Sequence, residues 1–243
     1  MACTISKEEV TRVKALGFLN NKDTDYFNGR VITRNGKITA RELMCIANAA
    51  EKFGSGEVVF TTRLTVEIRG VHFDNIMPLC EYLKKNGLST GGTGAKVRPV
   101  VSCKGSTCQY GQIDTFALSE KVHERFYVGY HDVKLPHKFK IAVGGCRNNC
   151  VKPDLNDIGI VGTRTKNEHG EACPGYKIYI GGRWGKKVSQ GQPLSKVFTS
   201  EEEALDTVEK IILFYRDNGL EKERFADTIA RIGFEEVEKA ILS

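Results

Sequence analysis

The chain has 243 residues, 40% of them hydrophobic and 27% charged, with a formal net charge of +6. That is enough apolar material for one large domain or two modest ones, which excludes a disordered chain, and the scattered basic residues lack the long runs of a nucleic-acid surface. No stretch approaches the roughly 18 apolar residues of a membrane span, and the start MACTISKEEVTRVKAL lacks a signal-peptide core, so a soluble cytoplasmic protein is expected.

Taken in chain order, the first clear element opens at Thr39, which forms a capping box with Glu42 at the head of ARELMCIANAAEKFG. Leu43, Ile46, Ala47 and Ala50 make its expected apolar stripe, and Gly54 its stop. EVVFTTRLTVEIRGV then reads as an extended segment, with Leu64, Val66 and Ile68 on one face and Arg63, Thr65, Glu67 and Arg69 on the other. DNIMPLCEYLKKNGL reads as a helix ending at Gly87. These elements predict a small α+β domain over residues 1–88, and the Gly-, Ser- and Thr-rich STGGTGAK marks the boundary to a second domain, 89–243. There HKFKIAVGG, DIGIVG and YKIYIGG read as strands. Ser200 and Glu203 cap a helix that buries Leu205, Val208, Ile211, Ile212 and Tyr215, and FEEVEKAIL closes the chain as a helix.

Eight cysteines in a reducing compartment are poor disulfide candidates, and four of them are paired closely, in CKGSTC (Cys103, Cys108) and GCRNNC (Cys146, Cys150). Cys3, Cys45, Cys80 and Cys173 stand alone and read as small hydrophobes or bystanders. The spacing leaves iron–sulfur, zinc and unliganded thiols open. Gly105, Gly111, Gly144 and Gly145 free the backbone to wrap a compact object and favour a [4Fe-4S] cluster.

TTRLTVEIRG, RPVVSCKGSTCQYGQIDT, LPHKFKIAVGGCRNNC, DIGIVG and YKIYIGG, in this order, resemble the sirohaem-dependent sulfite and nitrite reductases. The resemblance covers roughly residues 36–185, and the chain is most similar to the low-mass, single-repeat sulfite reductases of anaerobes. It implies a ferredoxin-like α+β domain followed by an α/β domain that holds sirohaem coupled to a [4Fe-4S] cluster. Cys103, Cys108, Cys146 and Cys150 would be the cluster ligands, with Cys150 bridging to the haem, although the first pair is one residue closer than the family's usual spacing.

The implied reaction is six-electron reduction of sulfite to sulfide, with nitrite as the second substrate; a haem-free [4Fe-4S] electron-transfer or regulatory module is the non-enzymatic alternative. By the resemblance, Arg63, Lys138 and Lys140 would bind the anion, Lys138 and Lys140 sharing one strand face. Arg98 would meet sirohaem carboxylates, Arg69 would assist, and Thr61, Thr62, Gly144, Asn148, Asn149 and Arg183 are cofactor-contact candidates. Arg125 matches a region of basic substrate ligands only loosely, and His123, His131, His137 and His169 read as surface or supporting residues. With no ferredoxin-type cysteine run and no flavin or nicotinamide motif, electrons would come from a separate donor such as a ferredoxin or reductase subunit. The single repeat, where longer relatives carry two, implies either a homodimer or a chain that closes the site with its own loops, NNKDTDYFNGRV or GTRTKNEHGEACPG.

Overall fold

A computed structural model describes residues 5–243; Cys3 lies outside the described residues. The chain divides into two compact units, the first ending at Gly94 and the second running Ala95–Ser243. The division falls after the expected 88/89 because the glycine-rich segment is tied into the first unit. Ile32 N–H donates to Ser89 O at 2.8 Å, Gly91 N–H to Arg30 O at 3.1 Å, and the Arg30 guanidinium to Gly92 O at 3.0 Å.

The first unit carries α1 (Lys7–Ala15), β1 (Phe18–Asn20), β2 (Tyr26–Val31), α2 (Ala40–Phe53), β3 (Val58–Phe60), β4 (Val66–His72) and α3 (Ile76–Lys85). Its sheet is antiparallel in the order β1-β2-β4-β3. The Thr39–Glu42 capping box is present, and Gly54 ends α2. The buried face of α2 differs from the sequence reading: Cys45, Ile46, Ala49 and Ala50 are buried, whereas Leu43 and Ala47 face solvent. Cys45 acts as a small core hydrophobe, as expected of an isolated thiol.

The segment Glu57–Val71, expected to be continuous, is a hairpin. Thr61 O accepts the Leu64 N–H at 3.0 Å, Thr61 N–H donates to Thr65 O at 2.9 Å, and the Thr61 hydroxyl accepts the amides of Arg63 and Thr65. Leu64 therefore adopts a left-handed φ of 58° in the turn and does not join Val66 and Ile68 on the strand face.

In the second unit, β5 (Val101–Ser102), β6 (Ile141–Gly144), β7 (Ile158–Lys166), β8 (Ala172–Ile180) and β9 (Gln192–Phe198) form one sheet in chain order. The pairings β5–β6 and β6–β7 are parallel, and β7–β8 and β8–β9 antiparallel. β6 reads IAVG with all four residues buried, as a strand covered on both faces requires. The helices are α4 (Thr115–Val122), which continues as a π-helical turn His123–Val128, then α5 (Glu201–Asn218), α6 (Phe225–Ile232) and α7 (Phe234–Leu242). Asp114 caps α4 by accepting the amides of Phe116 and Ala117. Leu205, Val208, Ile211, Ile212 and Tyr215 of α5 are all buried, as their spacing predicts.

Candidate functional site

Both cysteine pairs leave the carboxyl ends of neighbouring parallel strands. Val101 pairs with Ala142 and Ser102 with Val143, so Cys103 follows β5 and Cys146 follows β6 at nearly the same level. The junction is tight: Cys103 N–H donates to Val143 O at 3.2 Å, Gly145 N–H donates to the Cys103 Sγ at 3.2 Å, and Gln112 N–H donates to Gly145 O at 2.8 Å.

A methyl group on Gly145 would lie 2.9 Å from the Gly105 Cα and 3.5 Å from the Cys103 sulfur, so only glycine admits this approach of the two loops. A backbone donor on a cysteine sulfur and closely wrapped glycines are surroundings of the kind an iron–sulfur cluster uses, and both are present around Cys103. Among the described residues no three His, Cys, Asp or Glu side chains converge as ligands for a single metal ion; a cubane spaces its thiolates more widely than one tetrahedral ion does.

Beside these loops lies a cavity of about 630 Å³ lined by Tyr110, Gln112, Cys146, Arg147, Asn148 and Arg164, among others. Asn148 thus reaches open space next to a cysteine, whereas Asn149 does not. Its side-chain amide donates to Asp154 Oδ1 at 2.7 Å, and its φ of 58° turns the loop, so it shapes the Cys146–Cys150 segment. Gly144 is required for packing, since a Cβ there would meet Pro153 at 2.7 Å.

The lysines stand at the other end of β6. Phe139 is fully buried, stacks on Tyr215 and packs at a tilt against Phe225, with ring centroids 5.3 and 5.5 Å away. Its backbone bonds to Lys96 O and to the Arg98 amide. Because alternate residues of extended chain face opposite ways, the buried ring directs its neighbours Lys138 and Lys140 to one side, as the sequence predicts. The Lys140 ammonium donates to Trp184 O at 3.3 Å.

Burial, followed by the nearby charges of Arg224 and Arg98, holds the Lys138 ammonium below the usual lysine range; Arg183 adds to this and Asp157 opposes it. The same influences, burial foremost, depress His137, whose Nδ1 accepts the Lys138 amide. Lys138, Arg98, Arg183, Arg224 and His137 therefore share one cationic neighbourhood. Lys140 and Cys146 are separated by β6 itself, roughly 13 Å of extended chain, so the lysines and the cysteine loops occupy opposite ends of the strand.

Other candidates are committed to structural partners. Arg183 Nη1 bonds both carboxylate oxygens of Asp227 on α6, at 2.9 and 2.8 Å. Arg125 pairs with Glu202, Asp206 and Glu209 on α5, which removes it from the substrate region assigned by loose resemblance. His123 is buried and stacked on Tyr127, a core residue rather than a surface one. In the first unit, Thr61, Thr62 and Arg63 form the β3–β4 turn, with the Arg63 side chain partly buried, and exposed Arg69 pairs with Glu57 at 3.2 Å.

The sequence reading missed Asp157 and Arg224. Arg224 Nη2 lies 3.1 and 3.0 Å from the two Asp157 oxygens, and Asp157 Oδ2 also accepts the Lys140 amide at 2.8 Å. No local pattern betrays a pair 67 residues apart.

Residues 93–243 match the family model described as the nitrite and sulphite reductase 4Fe-4S domain, and residues 20–86 the nitrite/sulfite reductase ferredoxin-like half domain. The chain is 24% identical to the coenzyme F420-dependent sulfite reductase of Methanocaldococcus jannaschii, over 90% of this chain but 42% of that protein, so it spans less than half of that relative. It is 27% identical to the assimilatory-type sulfite reductase of Nitratidesulfovibrio vulgaris, over 85% of this chain and 88% of that one. Nitrite reductases match at comparable identity. The NirA protein of Mycobacterium tuberculosis superposes with a TM-score of 0.82 at 21% identity, covering 98% of this chain and 48% of that one, which shows a shared fold.

Proposed function

The chain belongs to the nitrite and sulphite reductase family, and from that premise we propose that it reduces sulfite to sulfide with sirohaem and a [4Fe-4S] cluster. The observation that carries the reading is the convergence of the two cysteine loops at the ends of β5 and β6, with a backbone amide already donated to one sulfur. Cys103, Cys108, Cys146 and Cys150 would hold the cluster, and Cys150 would share its sulfur with the haem iron. When bound, the two cofactors supply the six electrons that no side chain can store.

Residues of the chain supply positive charge and protons. The lysine neighbourhood holds four cations, Lys138, Arg98, Arg183 and Arg224, around the two carboxylates of Asp157 and Asp227, a surplus suited to a polycarboxylate tetrapyrrole and a small oxyanion. We assign the anion to Lys138, Lys140 and Arg63, and sirohaem carboxylates to Arg98, with Asn148 and Gly144 beside the cofactor and weaker roles for Arg69, Thr61 and Thr62. A half-buried Lys138 with a depressed pKa gives up a proton more readily than a solvated lysine, as each departing oxygen must leave as water. Electrons come from a separate donor protein.

Because lysines and cysteines lie at opposite ends of β6, a homodimer in which one copy's lysine end meets its partner's cysteine end would complete the site. Nitrite, with the same electron demand, is the competing substrate. The absorption spectrum of protein purified without oxygen tests the cofactor reading. A Soret band with a chlorin-like visible band is expected, and a broad cluster shoulder alone would overturn the sirohaem assignment; turnover with sulfite against nitrite then ranks the substrates.

A further inference from the structure

We infer that Asp157 and Arg224 are positioning residues for the Lys138–Lys140 segment, a buried ion pair that clamps its backbone and sets the charge beneath it. The argument begins with burial. Asp157 is 0% exposed and Arg224 6% exposed, an arrangement that proteins tolerate only when the charges meet each other and further hydrogen-bonding groups. Here they do: the carboxylate takes Arg224 Nη2 on both oxygens and the Lys140 amide on Oδ2. Arg224 Nε is buried without a hydrogen-bond partner, so Asp157 is the anchor of this guanidinium.

Both partners are placed by the fold. Asp157 immediately precedes β7, and its carbonyl accepts the Gly181 amide at the end of β8. Arg224 precedes α6, between two neighbours with structural tasks of their own. Glu223 binds Arg231, Thr228 and the Leu220 amide, and Phe225 packs on Phe139 and Tyr215. The triplet Glu223-Arg224-Phe225 therefore locks α6, supplies the buried cation and closes the aromatic box under Phe139. An oxyanion site needs its cations held before the anion arrives, and this construction holds them from below.

The pair also acts on Lys138 through space. The charged groups around that ammonium are Arg224, Arg98, Arg183, Asp157 and the adjacent His137; Arg224 is the largest of the charges that depress it, and Asp157 is the one that raises it. The two members of the pair thus pull Lys138 in opposite directions.

This deepens the proposed function and rests on it for the effect on turnover, but the test reads the lysine directly. Competitive acetylation across the alkaline range, with the Lys138 peptide followed by mass spectrometry, is applied to the wild type, Asp157→Asn, Arg224→Met and the double variant. Asp157→Asn is expected to move the Lys138 titration to lower pH, Arg224→Met to higher pH, and the double variant back toward the wild type. The alkaline limb of sulfite or nitrite turnover should follow the same order. Shifts of the same sign in both single variants, or an unmoved Lys138, overturn the inference. Should Asp157→Asn fail to accumulate as folded protein, the Arg224→Met shift alone decides. If the lysine titrations move as expected while Lys138→Ala keeps full turnover, the inference stands and the substrate role of the lysine falls.

Discussion

Replacing Phe139 by leucine tests how the lysine face is built. The ring is fully buried and makes two aromatic contacts, one with Tyr215 at an interplanar angle of 28° and one with Phe225 at 51°. Each such pair contributes about 0.5–1.5 kcal/mol beyond the area it buries, and complete truncation to alanine costs about 3–5 kcal/mol. Leucine keeps much of the volume but loses both ring–ring contacts, so a loss of roughly 2–3 kcal/mol follows. At about 2–4 °C per kcal/mol for chains of 150–250 residues, the melting temperature should fall by roughly 5–10 °C.

Thermal denaturation measures the first effect. Acetylation of Lys138 and Lys140 measures the second, since a side chain no longer held beside a buried ring gains access to the reagent. Phe198→Leu, equally buried in β9, serves as the comparison: it should cost stability without changing lysine reactivity. An unchanged melting temperature in Phe139→Leu, or lysine reactivity that moves equally in both variants, would refute the account of Phe139 as the residue that aims the lysines.

Alanine at Lys138 and Lys140 together should lower sulfite turnover at least tenfold, about 1.4 kcal/mol of transition-state stabilisation, while cofactor absorbance is retained. Cys150→Ser should lose cluster content and haem coupling together in the absorption and electron paramagnetic resonance spectra, whereas Cys45→Ser, a substitution in the α2 core, should keep both. Glu223 is held by Arg231 and its other donors at a pKa of about 2, down from 4.5, so its stabilising contribution is complete above about 4.5 and is lost as pH falls toward 2. Glu223→Gln should therefore cost about 2 kcal/mol near neutrality, and its denaturation curve should converge with that of the wild type in acid. Light scattering of cofactor-replete protein should give about twice the 27.0 kDa chain mass; a fully active 27.0 kDa species would rule out the composite site.

Legibility in the sequence followed the range of the interaction. The heads of α2 and α5 were readable because a cap and its partner lie three residues apart, and the cysteine loops because glycine and cysteine have few other reasons to cluster. The β3–β4 turn was not readable: it contains no Gly, Pro or Asn, and its left-handed residue is a leucine held by threonine hydroxyls. The apolar stripe of α2 was misphased because Leu43 and Ala47 are as apolar as Cys45 and Ala49, and only tertiary packing chooses between them. β9 carries Pro193 and little alternation, and the short helices α4 and α6 have few turns in which a period can show. Arg125 and Arg183 looked like free cations because the carboxylates that occupy them lie 77–84 and 44 residues away.

The parallel pairing of β5 with β6 also orders events during biogenesis. Gly145 and Cys103, which meet through an amide and a sulfur, are 42 residues apart, and a parallel pair cannot be closed by a short turn. Joining such distant segments costs loop entropy that is recovered only when the strands, α4 and the apolar core assemble together. In the nascent chain the first thiol pair and the second are therefore strangers, each too small a group to bind a four-iron cluster. Under the proposed function, a complete set of ligands exists only once the sheet has formed, so cluster loading would report on correct folding of the second unit, and a chain that misfolds there would stay colourless.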